Sequence, residues 1–105
     1  MAGNDQRRVD ADIYISEAIR VLQAVQSKHL DHTDATTVRA ALEGLGTVRR
    51  SIAGAAVPDD ARIAVRLRQV ANAVKSCVEP DASIASADIE TAGAIFQAMA
   101  DRRTP

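Results

Sequence analysis

Aromatic residues are almost absent from this chain: Tyr14 and Phe96 are the only two among 105 residues, and there is no tryptophan. Two isolated rings do not make a platform for stacking single-stranded bases. A core this poor in aromatics must draw its volume from Ile, Val, Leu and Ala. The small members of that set let helix axes approach to the low end of the usual ~8–10 Å. Cysteine is equally scarce, and Cys77 alone cannot form an internal disulfide. No segment approaches the roughly 20 apolar residues that span a bilayer. The opening stretch from Met1 to Asp10 is polar and lacks the apolar run of a secretory leader. A reduced, cytoplasmic, soluble protein without a membrane partner is therefore expected, and the Ala- and Arg-rich usage fits a bacterial source. There is also no Gly-rich phosphate loop and no nucleophile set beside a base. No cofactor and no enzymatic activity is expected.

Proline is confined to Pro58, Pro80 and Pro105, which leaves long stretches open to helix. With 47% hydrophobic residues, one core can form without disulfides or metal. Apolar periodicity marks four amphipathic helices, at about 10–30, 34–56, 59–78 and 84–102. In the first, Tyr14, Ile15, Ala18, Ile19, Val21, Leu22, Val25 and Leu30 share one arc, which also takes in Gln26 and His29. In the second, Val38, Ala41, Leu42, Leu45, Val48, Ile52 and Ala56 do so, beside a flank of small residues at Ala40, Gly44, Ser51 and Ala55. The third carries the cleanest stripe: Ile63, Leu67, Val70, Val74 and Cys77 alternate steps of four and three, and Ala71 and Val78 widen it. Ala85, Ile89, Ala92, Phe96 and Met99 repeat that step in the fourth, broadened by Ile84 and Ile95. Short polar runs between them carry capping residues: Asp10 or Asp12 for the first helix, and Thr33 or Asp34 for the second. Pro58-Asp59 serves the third, and Asp81, Ser83 or Ser86 the fourth. The fold class is all-α, a four-helix antiparallel up-down bundle with short connections. Residues 1–9 read as a flexible N-terminal tail, 10–102 as a single helical domain and 103–105 as a C-terminal tail.

Charge is segregated although the chain is near neutral. Residues 38–78 carry seven basic against three acidic groups, net +4. Residues 1–37 are net −2 and residues 79–105 net −3. Such a split serves either complementarity between neighbouring helices or a basic face for an acidic partner.

Four constellations bear on function. His29, His32 and Asp34 form the only His/Asp cluster, and imidazole with carboxylate suits a metal such as zinc. The run lies where a helix must end, however, and lacks a third strong ligand at fixed spacing. A polar helix terminus is the simpler reading. Thr37 to Arg50 has the flavour of a helix-turn-helix, with glycine at the turn and Thr47, Arg49 and Arg50 on a recognition helix. The apolar step 38, 41, 45, 48, 52 continues through Gly46 without a phase shift, as a continuous helix requires. Asp88 projects into the apolar arc of the fourth helix and Arg49 to the edge of that of the second. Asp88 is therefore a first-turn acid, the partner of Arg49, or an acid in a pocket. Ala11-Asp12-Ile13 with Ala18-Ile19 recurs as Ala87-Asp88-Ile89 with Ala94-Ile95, a match that chance supplies easily in so Ala-rich a chain.

These features give a non-enzymatic interaction module, an adaptor or assembly subunit that binds a protein partner or its own copies as a homo-oligomer. Arg39, Arg50, Arg62, Arg66 and Val65 are the candidate contact residues. The alternatives are a nucleic-acid-associated protein using the basic second and third helices, disfavoured by net charge, and a metal protein or enzyme centred on His29 and His32.

Overall fold

A computed structural model describes residues 2–54 and 58–103, and side chains for residues 5–54 and 58–102. Four helices follow in order: α1 Ala2–Gln26, α2 His32–Gly54, α3 Asp60–Lys75 and α4 Ala82–Arg103. No strand occurs among the described residues. The helices form a ring in which α1 packs on α2 and α4, and α3 packs on α2 and α4; among the described residues the diagonal pairs do not pack backbone against backbone. This is the expected bundle.

The ring is uneven, and side-chain size explains why. The closest packings are α3 on α4 and α1 on α4. These helices bury Ala11, Ala18, Ala64, Ala71, Ala85 and Ala92, whose methyl groups hold backbones apart very little. Gly93 adds to this: a Cβ there would lie 3.5 Å from Leu67 Cβ. From α2, by contrast, Val38, Leu45 and Val48 are buried, with Ala41 the only buried alanine. Longer side chains hold α2 away from its neighbours. The largest fully buried side chains, among them Phe96, Ile15, Leu22, Leu45, Leu67 and Ile89, fill the interior.

Helix ends are set locally. Asp31 rather than Thr33 or Asp34 caps α2: its Oδ1 accepts the amide N–H of Asp34 at 2.7 Å. Asp59 caps α3, accepting the amide N–H of Arg62 at 3.2 Å. Helix α4 starts directly after Asp81, so Ser86 lies inside it. The buried Ser86 hydroxyl donates to the Ala71 carbonyl at 3.0 Å, tying α4 to α3.

Several expectations are corrected. Helix α1 begins at Ala2, so residues expected in a tail extend it by more than two turns. Asp10 and Asp12 are consequently inside the helix and cap nothing. Arg8 gives the added turns an anchor, since its guanidinium meets the buried Asp60 carboxylate at 3.4 Å across the bundle end. Helix α4 likewise runs on through Arg103. Tyr14 and Ile84, assigned to apolar arcs, are 39% and 54% exposed. Gln26 and His29 are exposed as well, Val78 lies past the end of α3 and is 80% exposed, and Val70 and Cys77 sit at the core's edge, while Ala71 is buried as its place in the stripe requires. Ala55 and Ala56 lie outside the described residues. Helix α2 runs unbroken through Gly44 and Gly46, so there is no helix-turn-helix. The sequence match at Ala11 and Ala87 does not extend to structure, because Ile13 is 61% exposed and its counterpart Ile89 is fully buried.

Candidate functional site

At the upper end of the bundle, the α1–α2 and α3–α4 connections and four helix termini crowd together. Asp34 is buried there, and its carboxylate accepts the amide N–H groups of Val78, at 3.0 and 3.3 Å, and of Glu79, at 3.2 Å. It thus satisfies two backbone donors where the chain leaves α3 and turns out of the helical ladder. Lys28 closes the same corner, its ammonium 2.8 Å from both Glu79 and Asp81. His29 and His32 are exposed and turn to neither. With Asp34 committed to backbone N–H groups, the three candidate ligands do not converge. Among the described residues no group of three or more His, Cys, Asp or Glu side chains is placed to hold a metal ion. Asp34→Asn keeps an acceptor but loses its charge, and charge-assisted hydrogen bonds are roughly twice as strong as neutral ones. Chemical denaturation should show a loss of about 1 kcal/mol; an unchanged midpoint would mean that water serves these amides equally well.

Cys77 lies beside this corner. Burial pushes its thiol above the usual range, and the Asp34 charge adds to that. A thiol held protonated in this way is a poor nucleophile.

Arg49 and Asp88 do not pair. Arg49 reaches α1 instead, where its Nε lies 3.1 Å from Asp12. Asp88 has no hydrogen-bond or ion-pair partner among the described residues. Burial pushes its carboxyl above the usual range, and Glu17 nearby pushes it further. A carboxyl whose folded pKa is raised prefers the proton, so ionised Asp88 opposes folding at neutral pH. That opposition fades as pH falls through the folded pKa. Asp88→Asn should therefore raise the melting temperature at neutral pH, with a gain that shrinks as the solution is acidified. A constant difference at every pH would contradict this origin.

The remaining charges show how the basic hairpin is used. Two of its cations neutralise the outer helices: Arg49 through Asp12, and Lys75 through Glu90 at 3.7 Å. Arg39, Arg50, Arg62 and Arg66 have no carboxylate partner among the described residues. All four are exposed, as is Val65 at 48%. Three of them converge. A groove of about 430 Å³ between the C-terminal half of α2 and the N-terminal half of α3 is walled by Arg50 on one side and by Arg62 and Arg66 on the other. Arg39 and Val65 lie outside it. Asp59 is the only acid in its walls, and its carboxylate already caps α3. The groove hydroxyls are also spent, since Thr47 donates to the Glu43 carbonyl and Ser51 to the Thr47 carbonyl. The arginines are thus its available side-chain donors, with one N–H of Arg50 already given to the Thr47 hydroxyl at 3.2 Å and the rest of each guanidinium open.

A second groove, of about 320 Å³, continues the same face towards the other end. Thr36, Thr37, Ala40 and Ala41 line it from α2, and Gln69, Val70 and Ala73 from α3. Between the two stands a waist at Gly44, where an added Cβ would sit 3.2 Å from Val70 Cγ2. The sequence identified the arginines; their gathering across two helices depends on long-range packing that spacing along either helix does not reveal.

None of the described helices is long and apolar enough to cross a membrane. No family model matches the chain, and neither the curated proteins nor the solved structures contain a significant match to it.

Proposed function

We propose that this chain is a small non-enzymatic interaction module that binds a protein partner across the outer face of α2 and α3. The observation that carries this reading is the division of the cations. Arg8, Arg20, Lys28, Arg49 and Lys75 each meet a carboxylate of the same chain. Of the cations that meet none among the described residues, Arg7, Arg39, Arg68 and Arg102 are dispersed, whereas Arg50, Arg62 and Arg66 share one groove. Exposed arginines beside concave apolar surface are characteristic of interface anchors. A photo-crosslinking side chain at position 66 in cells should form an adduct with a defined protein, whereas one at the exposed Thr91 on α4 should not. Arg50→Glu with Arg62→Glu should abolish the adduct. Adducts that disappear with nuclease, or duplex binding that falls steeply with salt, would support a nucleic-acid partner instead.

A different observation favours self-association as a second reading. Val9 and Ile13 stand one turn apart on α1, 55% and 61% exposed, with Tyr14 beside them. Copies meeting through this patch would bury apolar surface and form a contact that persists at high salt. Sedimentation of the wild type and of Ile13→Glu at low and high salt tests it, and a monomer at tens of micromolar in both buffers would refute it.

A further inference from the structure

We infer that the occupant of the α2–α3 face is a single amphipathic α-helix of an acidic partner protein, its carboxylates over Arg50, Arg62 and Arg66 and its small apolar residues over Ala40, Val70 and Ala73. This rests on the reading of the face as a protein-binding surface and specifies what binds there.

Three observations select the occupant. The first is backbone accounting. Both walls are α-helices whose amides and carbonyls are paired along their own axes, so the face offers no strand edge. A segment entering it must satisfy its own backbone, and a helix does so without help. The second is relief. The upper groove is walled largely by alanine, threonine and one valine, which lets a third helix axis come close. From Thr36 to Gly54 the face runs about 27 Å along α2, which matches a helix of roughly 18 residues.

The third is charge. The lower groove holds arginines on both walls, so a carboxylate between them is within reach of either helix. The α3 N-terminus at this point does not serve as an anion site of its own, because Asp59 occupies it. A single compact anion would thus meet a carboxylate at the groove's end, whereas a helix places several carboxylates along the walls and away from Asp59. The chain's own acids are poor candidates for this role. Asp12, Glu17, Glu79, Asp81 and Glu90 already face basic groups of the same subunit. A second copy would have to give up those pairs to use these acids. Its acids outside any ion pair or backbone hydrogen bond, Asp10, Glu43, Asp88 and Asp101, are scattered over α1, α2 and α4 and form no row along one helix to match both walls, so the complement comes from another protein.

The test uses the full chain and a displayed library of helical peptides about 18 residues long, randomised among Ala, Leu, Glu, Lys and Ser. Selected peptides should carry apolar residues at i, i+3, i+4 and i+7 in one half and two or more glutamates in the other. Arg62→Glu with Arg66→Glu should weaken them by about tenfold or more and, on reselection, should enrich lysine at the former glutamate positions. Ala40→Glu should weaken them through the other end of the face. All three sites are exposed, and circular dichroism melts establish that the variants remain folded.

No enrichment, peptides indifferent to the double reversal, or selection without the apolar stripe would each overturn the inference. So would displacement of the peptides by duplex DNA or by excess unlabelled copies of the chain. The underlying reading fails separately: an adduct at position 66 without helical selection leaves a protein partner of another shape, and the absence of both removes both.

Discussion

Leu67→Ala should lower the unfolding free energy by about 2–5 kcal/mol in equilibrium denaturation, the range for truncating a fully enclosed leucine. Leu67 has no exposed surface. It lies in the closest of the helix packings, and its Cβ is within 3.5 Å of where a Cβ on Gly93 would stand. The alanines and glycine that bring α3 and α4 together also make their backbones hard to bring closer. The truncation therefore leaves a cavity that cannot collapse, which places its cost in the upper part of the range. Leu42, half-buried at the edge of the core, is the natural comparison, and Leu42→Ala should cost distinctly less. A loss below about 0.5 kcal/mol for Leu67→Ala would mean that α3 does not present this face to the interior.

The residues around Leu67 illustrate how far the sequence discloses the fold. The four-and-three stepping of apolar residues marked α3 as a bundle helix, and Ile63, Leu67 and Val74 are indeed buried. The arc takes in Ala71 correctly but also Val78, and it centres on Val70 and Cys77 and passes over Ala64, because hydrophobicity ranks valine and cysteine above alanine. Geometry ranks them otherwise: Ala64 and Ala71 are fully buried because only a methyl group fits where α4 approaches. In α1 the same logic explains Tyr14. Its ring is apolar enough to join an arc on a wheel, yet it is 39% exposed, while the small Ala11 is fully enclosed. The N-terminal extension of α1 was hidden for another reason. Residues before Ala11 carry no apolar stripe, and their place in the helix is tied to Arg8 meeting Asp60, a pair 52 positions apart.

The polar corner and the candidate groove follow the same division. Asp34 looked like a cap because it sits where a helix starts, but its acceptors serve amides 44 and 45 positions downstream. Arg49 and Asp88 looked like a pair because each lies near an apolar arc, yet Arg49 is met by Asp12, which the pattern assigned to a cap. Charge segregation points to the middle hairpin, where the candidates are Arg39 and Val65, which lie outside the groove, together with Arg50, Arg62 and Arg66. Two physical facts turn them into a site: α2 stands off from α3, and the intervening acid is already used. Neither is encoded in a local window, since both depend on which side chains meet between helices.

The waist between the two grooves can be tested at Gly44. Gly44→Leu should destabilise the protein by about 1–3 kcal/mol, as overpacking of a filled site does. Even the first carbon added there lies 3.2 Å from Val70 Cγ2, and the remaining three have only the waist between the grooves to enter. Gly44→Ala is a finer case. Helix propensity favours alanine over glycine by about 1 kcal/mol, while Val70, half-buried and bordering a groove, must yield a few tenths of an ångström. The two effects nearly cancel, so this variant should melt close to the wild type. Gly46 supplies the control within the same helix. A Cβ there meets only the guanidinium of Arg50, at 3.5 Å, and Gly46→Ala should collect most of the propensity gain, up to about 1 kcal/mol. The expected order of melting temperatures is Gly46→Ala above wild type, Gly44→Ala near it and Gly44→Leu below. A stabilised Gly44→Leu would mean that α2 does not touch α3 at this point and that the two grooves are one open cleft.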